Sequence, residues 1–156
     1  MSENIRPMQR ADIARIHEIE CACFLSPWSK SSLMGELRND AAHYLVMEID
    51  DKIEAYAGMW VLFDESHLTN VAVMESFRNQ GCAKRLMDAM MERALLFGAK
   101  LMTLEVRENN TAAQHLYAQL GFVQQGYRPR YYTDTGEGAL ILWNTDIQKT
   151  LDNRRK

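Results

Sequence analysis

The chain has 156 residues, 47% hydrophobic and 25% charged, which is the size and mix of one globular domain and excludes disorder, collagen and coiled coil as the main reading. Eighteen Lys and Arg against 21 Asp and Glu leave a net charge of −3. That argues against nucleic acid or an anionic membrane surface as the partner, because both call for a basic face.

Taken in chain order, Glu3–Arg6 reads as a short strand closed by Pro7. Arg10–Phe24 carries Ile13, Ile16, Ile19 and Phe24 near helical spacing. Pro27 interrupts the chain, and Ser29–Arg38 reads as a second helix. His43–Ile49 and Ile53–Leu62 read as strands about a tight turn at Asp50-Asp51. His67–Val73 is a further strand. Cys82–Phe97 is a strongly amphipathic helix with Leu86, Met90, Ala94 and Phe97 on one stripe, stopped by Gly98. Leu101–Arg107 is a strand, Asn110–Leu120 a helix ended by Gly121, and Phe122–Tyr127 and Ala139–Thr145 are the last strands. This order predicts an α/β (α+β) fold: a single domain over residues 1–148 with a mixed, mostly antiparallel twisted sheet of about seven strands, one parallel crossover and helices on both faces. Residues 149–156 read as a short basic C-terminal tail, with Asp152–Lys156 solvated. No apolar run of about 18 residues is present, so no transmembrane helix is expected, and the first residues lack the apolar core of a signal peptide. Three cysteines, Cys21, Cys23 and Cys82, fall in no disulfide or metal spacing. A metal-free cytoplasmic protein is expected, as a monomer or weak dimer. The ten methionines suggest adaptable packing somewhere in the core.

Three segments could carry chemistry. Arg78-Asn79-Gln80-Gly81-Cys82-Ala83 follows a strand and opens a helix, with Lys84 and Arg85 adding charge. Unpaired N–H groups at a helix start suit a phosphate, and glycine permits close approach. The same segment also fits a plain loop, and neither the Walker nor the Rossmann glycine pattern is present. Glu105 lies mid-strand on one face with Leu101, Thr103 and Arg107. A carboxylate there is either paired with Arg107 or positioned as a general base. Asn109 or Asn110 would cap the next helix. Tyr117 in that helix is either a core tyrosine or a general acid, and His115 reads as structural or solvated.

Together these segments resemble the GNAT superfamily of acetyl-CoA-dependent acetyltransferases. Arg78-x-x-Gly81-x-Ala83 is similar to its pyrophosphate-binding motif. Asn70-Val71-Ala72-Val73 is similar to its pantetheine-holding strand, and Asn110-x-x-Ala113-x-x-x-Tyr117-x-x-x-Gly121-Phe122 to its later cofactor-side helix. The likeness covers about residues 3–146. Leu104-Glu105-Val106-Arg107, Leu116-Tyr117, Pro27-Trp28-Ser29, Arg130-Tyr131-Tyr132 and Glu137-x-Ala139 are similar to one group within the family, the RimI-type ribosomal-protein-alanine N-acetyltransferases. Ser26, Thr133 and Gly138 depart from that group's usual Phe, Pro and acidic residue, all toward the acceptor side.

The resemblance implies a GNAT-like domain and direct acetyl transfer in a ternary complex, without an acyl-enzyme on Cys82. It implies acetyl-CoA as co-substrate, held by Val71, Ala72, Val73, Arg78, Asn79, Gln80, Gly81, Cys82, Ala83, Lys84, Asn110 and Tyr117. Glu105 is implied as base and Tyr117 as acid. Pro27, Trp28, Tyr131 and Tyr132 are implied to receive a protein or peptide N-terminus, that of a small-subunit ribosomal protein among them. A GNAT acting on a small amine or antibiotic, or a non-catalytic acyl-CoA-binding module, are the alternatives.

Overall fold

The computed structural model describes residues 2–154 and gathers the alternating segments into one seven-stranded sheet. Its strands are β1 (Glu3–Pro7), β2 (Ala42–Ile49), β3 (Lys52–Leu62), β4 (Glu65–Val73), β5 (Leu101–Arg107), β6 (Val123–Arg128) and β7 (Ala139–Asn144). They lie in the order β1-β2-β3-β4-β5-β7-β6. Only β4 and β5 pair in parallel; every other neighbouring pair is antiparallel. Asp50 and Asp51 both take positive φ, 50° and 69°. A two-residue hairpin demands that conformation, and Asp tolerates it.

The helices are α1 (Ile13–Cys23), α2 (Lys30–Leu37), α3 (Cys82–Leu96), α4 (Thr111–Gln119) and α5 (Ile147–Arg154), with 3₁₀ turns at Arg10–Asp12 and Glu75–Phe77. Arg6 ties β1 to the entry of α1 through Asp12 at 2.8 Å and to β2 through Glu48 at 2.9 Å. Ser29 caps α2 by accepting the Ser32 N–H. Two apolar clusters sandwich the sheet. Ile13, Ile16, Ile19 and Leu33 from α1 and α2 pack on Tyr44, Val46 and Tyr56 on one face. On the other, Leu86, Met87, Met90 and Met91 of α3 meet Met47, Met59 and Met102, joined by Tyr117 of α4 and by Ile147 and Leu151 of α5. The methionines are thus concentrated under α3.

The expected architecture is present, with one correction. Residues 149–154, read as a tail, form the body of α5. Its charge-rich composition hides an i, i+4 apolar pair, Ile147 and Leu151, both buried, and Arg154 pairs with Asp88 of α3. Asp152 to Arg154 are exposed, while Arg155 and Lys156 lie outside the described residues.

One irregularity shapes the site. Gly58 pairs with Asn70 but Met59 with Leu68, so Thr69 is an extra residue in β4. Such a bulge bends a strand and flips its alternation. Accordingly Leu68 and Val71 pack toward α3, while Ala72 packs toward α1. The β4–β5 ladder ends at His67 opposite Thr103, although both strands continue, and a cleft opens beyond that point.

Candidate active site

The cleft has a volume of about 650 Å³ and is lined by Leu68–Val71 of β4 and Leu104–Arg107 of β5. Residues 23–26 and Trp28 between α1 and α2 form one wall. Tyr131–Asp134 between β6 and β7 form another, and Asn110, Ala113 and Tyr117 close the far side. Alternation along β5 buries Met102, Leu104 and Val106 toward α3 and turns Thr103, Glu105 and Arg107 to the opposite face. Glu105 therefore reaches the cleft from the α1 side of the sheet and Tyr117 from the α3 side.

Glu105 does not pair with Arg107. Its Oε2 lies 2.7 Å from His67 Nε2 on the neighbouring parallel strand, with side-chain exposures of 19% and 38%. The hydrogen bond to Glu105 raises the His67 pKa above its ordinary value, opposed by burial and by Arg128. Arg107 instead makes a two-pronged bond to Asp134 at 2.9 and 2.8 Å, pairs with Glu137 at 3.3 Å and stacks over the Tyr132 ring at 4.1 Å. Ser26 donates to the same Asp134 at 3.1 Å, so two walls of the cleft are tied together through one carboxylate. Arg107 holds the Asp134 carboxyl down at about 2, while burial pushes the Tyr132 phenol up to about 12.

Behind these walls runs a buried polar chain. Glu20 of α1 is fully buried. Its Oε1 accepts the Trp28 N–H at 3.1 Å and lies 3.5 Å from the Asn70 amide, and its Oε2 has no hydrogen-bond partner among the described residues. Burial raises the Glu20 pKa, opposed by the nearby Tyr56 hydroxyl and the Trp28 N–H. Asn70 also meets Tyr56 and Tyr44, and Tyr44 and Trp60 both donate to Glu36. Gly58 admits the Tyr44 ring, which a Cβ there would overlap.

The loop over residues 78–81 enters α3 through Asn79 and Gly81, both at positive φ. Gly81 is also where a Cβ would approach Arg85 Nη1 to 2.8 Å. Arg85 is committed elsewhere, to both Glu3 oxygens at 2.8 Å and to the Gln80 carbonyl at 3.0 Å. Arg78 donates to the Val73 carbonyl at 3.0 Å. Cys82 is buried in the α3 core cluster, and Ala83 and Lys84 complete the first turn. The N–H groups of such a turn are free of helical partners, so the loop suits an anion. Asn110 caps α4 by accepting the Ala113 N–H at 3.1 Å.

Of the residues singled out from sequence, Val71, Glu105, Asn110, Tyr117, Trp28, Tyr131 and Tyr132 share the cleft. Ala72 points into the α1 core, and Val73 and the 78–84 loop stand beyond the lining. Pro27 is exposed and outside the lining, with Ser26 and Trp28 on either side of it within. Burial raises the Tyr117 pKa and keeps its phenol protonated through the neutral range. Two departures from the family pattern find local partners. Ser26 bonds Asp134, and Gly138 leaves room for the Glu108 carboxylate, which accepts from the Gly138 N–H and from Tyr127. His67, Glu20 and the Arg107–Asp134 pair escaped the sequence reading, and Asn70 figured there only as the first residue of the strand motif. The signal available for His67 was a titratable residue on the strand destined to lie beside that of Glu105.

The acetyltransferase (GNAT) family model matches residues 13–122. A Bacillus subtilis (strain 168) protein, whose name provisionally assigns it ribosomal protein bS18-alanine N-acetyltransferase activity, is 41% identical over 142 residues, 90% of this chain and 94% of that one. The ribosomal protein bS18-alanine N-acetyltransferase of Haemophilus ducreyi is also 41% identical, over 143 residues, 88% of this chain and 97% of that one. The crystal structure of the ribosomal-protein-S18-alanine N-acetyltransferase from Escherichia coli superposes with a TM-score of 0.84 at 28% identity, covering 91% of this chain and 92% of that one.

Proposed function

The chain belongs to the acetyltransferase (GNAT) family, and on that premise we propose that this N-acetyltransferase moves an acetyl group from acetyl-CoA to the free α-amine of a protein N-terminus, the N-terminal alanine of ribosomal protein bS18. The observation that carries the reading is one cleft entered by Glu105 from one face of the sheet and by Tyr117 from the other, with an aromatic acceptor wall beside them. Acetyl-CoA supplies an acetyl group already activated as a thioester. Its diphosphate suits the α3 entry, where Gly81 keeps the approach open and Arg78 and Lys84 bring charge. Its pantetheine suits the stretch of β4 from Val71 to Val73, which extends past the end of the β4–β5 ladder.

The acceptor chemistry follows from proton affinities. An α-amine has a pKa of about 7.7–8.0, against about 10.4 for lysine, so near neutral pH the former gives up its proton more readily to a positioned general base. Glu105 takes that proton. Main-chain N–H groups of Val71–Val73 polarise the acetyl carbonyl. Tyr117 stays protonated because it is buried, and its O–H is available to the departing sulfur. Trp28, Tyr131 and Tyr132 cover the peptide end, giving apolar area together with hydroxyls. Holding both substrates in one cleft supplies the proximity contribution.

The test is mass spectrometry of peptides beginning with Ala, Ser, Met or Gly, an N-blocked lysine peptide and a panel of small amines, each incubated with acetyl-CoA. One added acetyl on the α-amine of the Ala peptide is expected. Transfer confined to small amines, or to none, would overturn the assignment.

A further inference from the structure

We propose that His67 is the proton outlet of Glu105: it orients the carboxylate and carries to solvent the proton that Glu105 takes from the acceptor amine. The inference rests on the proposed function and adds a residue to it. Its ground is geometric. His67 is the last residue of the β4–β5 ladder, so its ring stands beside the site where the strands part. Its Nε2 is 2.7 Å from Glu105 Oε2, and Trp60 meets the ring edge-on at 6.2 Å between centroids. Trp60 is itself anchored by two bonds from Nε1 to Glu36 at 3.1 Å, so the ring has a fixed wall behind it. His67 is twice as exposed as Glu105, 38% against 19%, and it is absent from the cleft lining while Glu105 is part of it. The pair thus runs from the cleft to water, with the carboxylate inside and the imidazole outside.

The step balances. The α-ammonium gives one proton to Glu105, leaving the amine lone pair free for the acetyl carbon. Glu105 passes that proton to the unprotonated Nε2 of His67. The imidazolium then releases its Nδ1 proton to water, and exchange of the remaining Nε2 proton with solvent restores the Nδ1–H tautomer for the next turnover. The charged groups facing His67 are Glu105 from β5, which favours the imidazolium, and Arg128 from β6, which opposes it. Glu36 stands beyond Trp60, and Tyr132 faces Glu105 across the cleft.

Two readouts test this. The imidazole of His67 is titrated by NMR in the wild type and in Glu105→Gln. A midpoint above about 6.5 that falls in the variant is expected, and a midpoint indifferent to Glu105 overturns the pairing. In parallel, the single-turnover rate of acetyl transfer to an Ala-starting peptide is followed against pH for wild type, His67→Gln and His67→Phe. In His67→Gln, which can still hydrogen-bond Glu105 but cannot relay a proton, a fall of about tenfold near pH 7 is expected. That is less than the ~10²–10⁴ of a group taking the proton itself. The acidic limb should move to lower pH, and KM for both substrates should stay within about twofold. An unchanged rate and limb in both variants overturns the proposal while leaving the acetyltransferase reading standing. A wild type that acetylates no α-amine overturns that reading and the outlet with it, whatever the titration shows.

Discussion

The two faces of the sheet are built from different chemistry. Under α3 and α5 the contacts are dominated by methionine and leucine, and Met47, Met59, Met87, Met90, Met91 and Met102 are all fully buried. Under α1 and α2 the buried layer carries the carboxylates Glu20 and Glu36, the amide of Asn70 and the hydroxyls of Tyr44 and Tyr56. Burying such groups costs free energy unless each finds a partner, and one oxygen of Glu20 finds none among the described residues. The apolar face can hold the fold through area and dispersion alone. The polar face gives up stability to fix Trp28 in the cleft wall through the Glu20 carboxylate. The division explains why Glu105 and His67 project from the second face while the buried Tyr117 packs with the first.

The contrast can be broken most strongly from the apolar side. Met90→Ala removes a fully buried side chain beneath the sheet and is expected to cost about 2–5 kcal/mol of stability. Urea unfolding measures that loss, and the transfer rate per folded molecule should be unchanged. On the polar side, Gly58→Ala drives a Cβ into the Tyr44 ring. That ring is held by Glu36 and lies beside Asn70, so the expected cost is about 1–3 kcal/mol, with a fall in transfer rate as Asn70 and Glu20 shift. Full activity in this variant would show that the buried chain is not coupled to the site.

Arg107→Met addresses the wall tie. The Asp134 carboxyl lies at about 2, below its ordinary 3.8. Its pairing therefore contributes stability that is complete above pH 3.8 and is lost as the pH falls through about 2. In the variant, the carboxyl titration followed by NMR should return toward 3.8. The smallest effect is expected of Ser26→Ala. Losing one exposed bond to Asp134 should leave the unfolding midpoint essentially unchanged, and a rise in KM for peptide with kcat unchanged would register the loosened wall.

The fold was largely legible because strand alternation, the Asp50-Asp51 turn, the glycine stops at Gly98 and Gly121 and the stripe of α3 are local signals. Glu105 and Tyr117 stand out as a carboxylate mid-strand and a tyrosine in the helix that follows, but the residue pattern left each with two readings, and their roles as base and acid are implied by the family resemblance alone. Helix α5 was not, because Ile147 and Leu151 sit among charges and only docking on α3 makes them core. The partner of Glu105 was hidden as well. Arg107 shares its strand face, but the opening of the cleft carries Arg107 to Asp134, and register across the parallel ladder brings His67 instead. Long-range pairing of that kind leaves no periodicity in either segment. Nor does Glu20 announce itself, since only the packing of α1 on the sheet makes it buried.

The central claim is that Glu105 takes the proton of an N-terminal amine. It is tested most directly by the single-turnover rate of acetyl transfer to an Ala-starting peptide, comparing wild type with Glu105→Gln at saturating acetyl-CoA. The account predicts a loss of about 10²–10⁴-fold with unchanged acetyl-CoA binding and unfolding midpoint. A Glu105→Gln protein that transfers at the wild-type rate would contradict it.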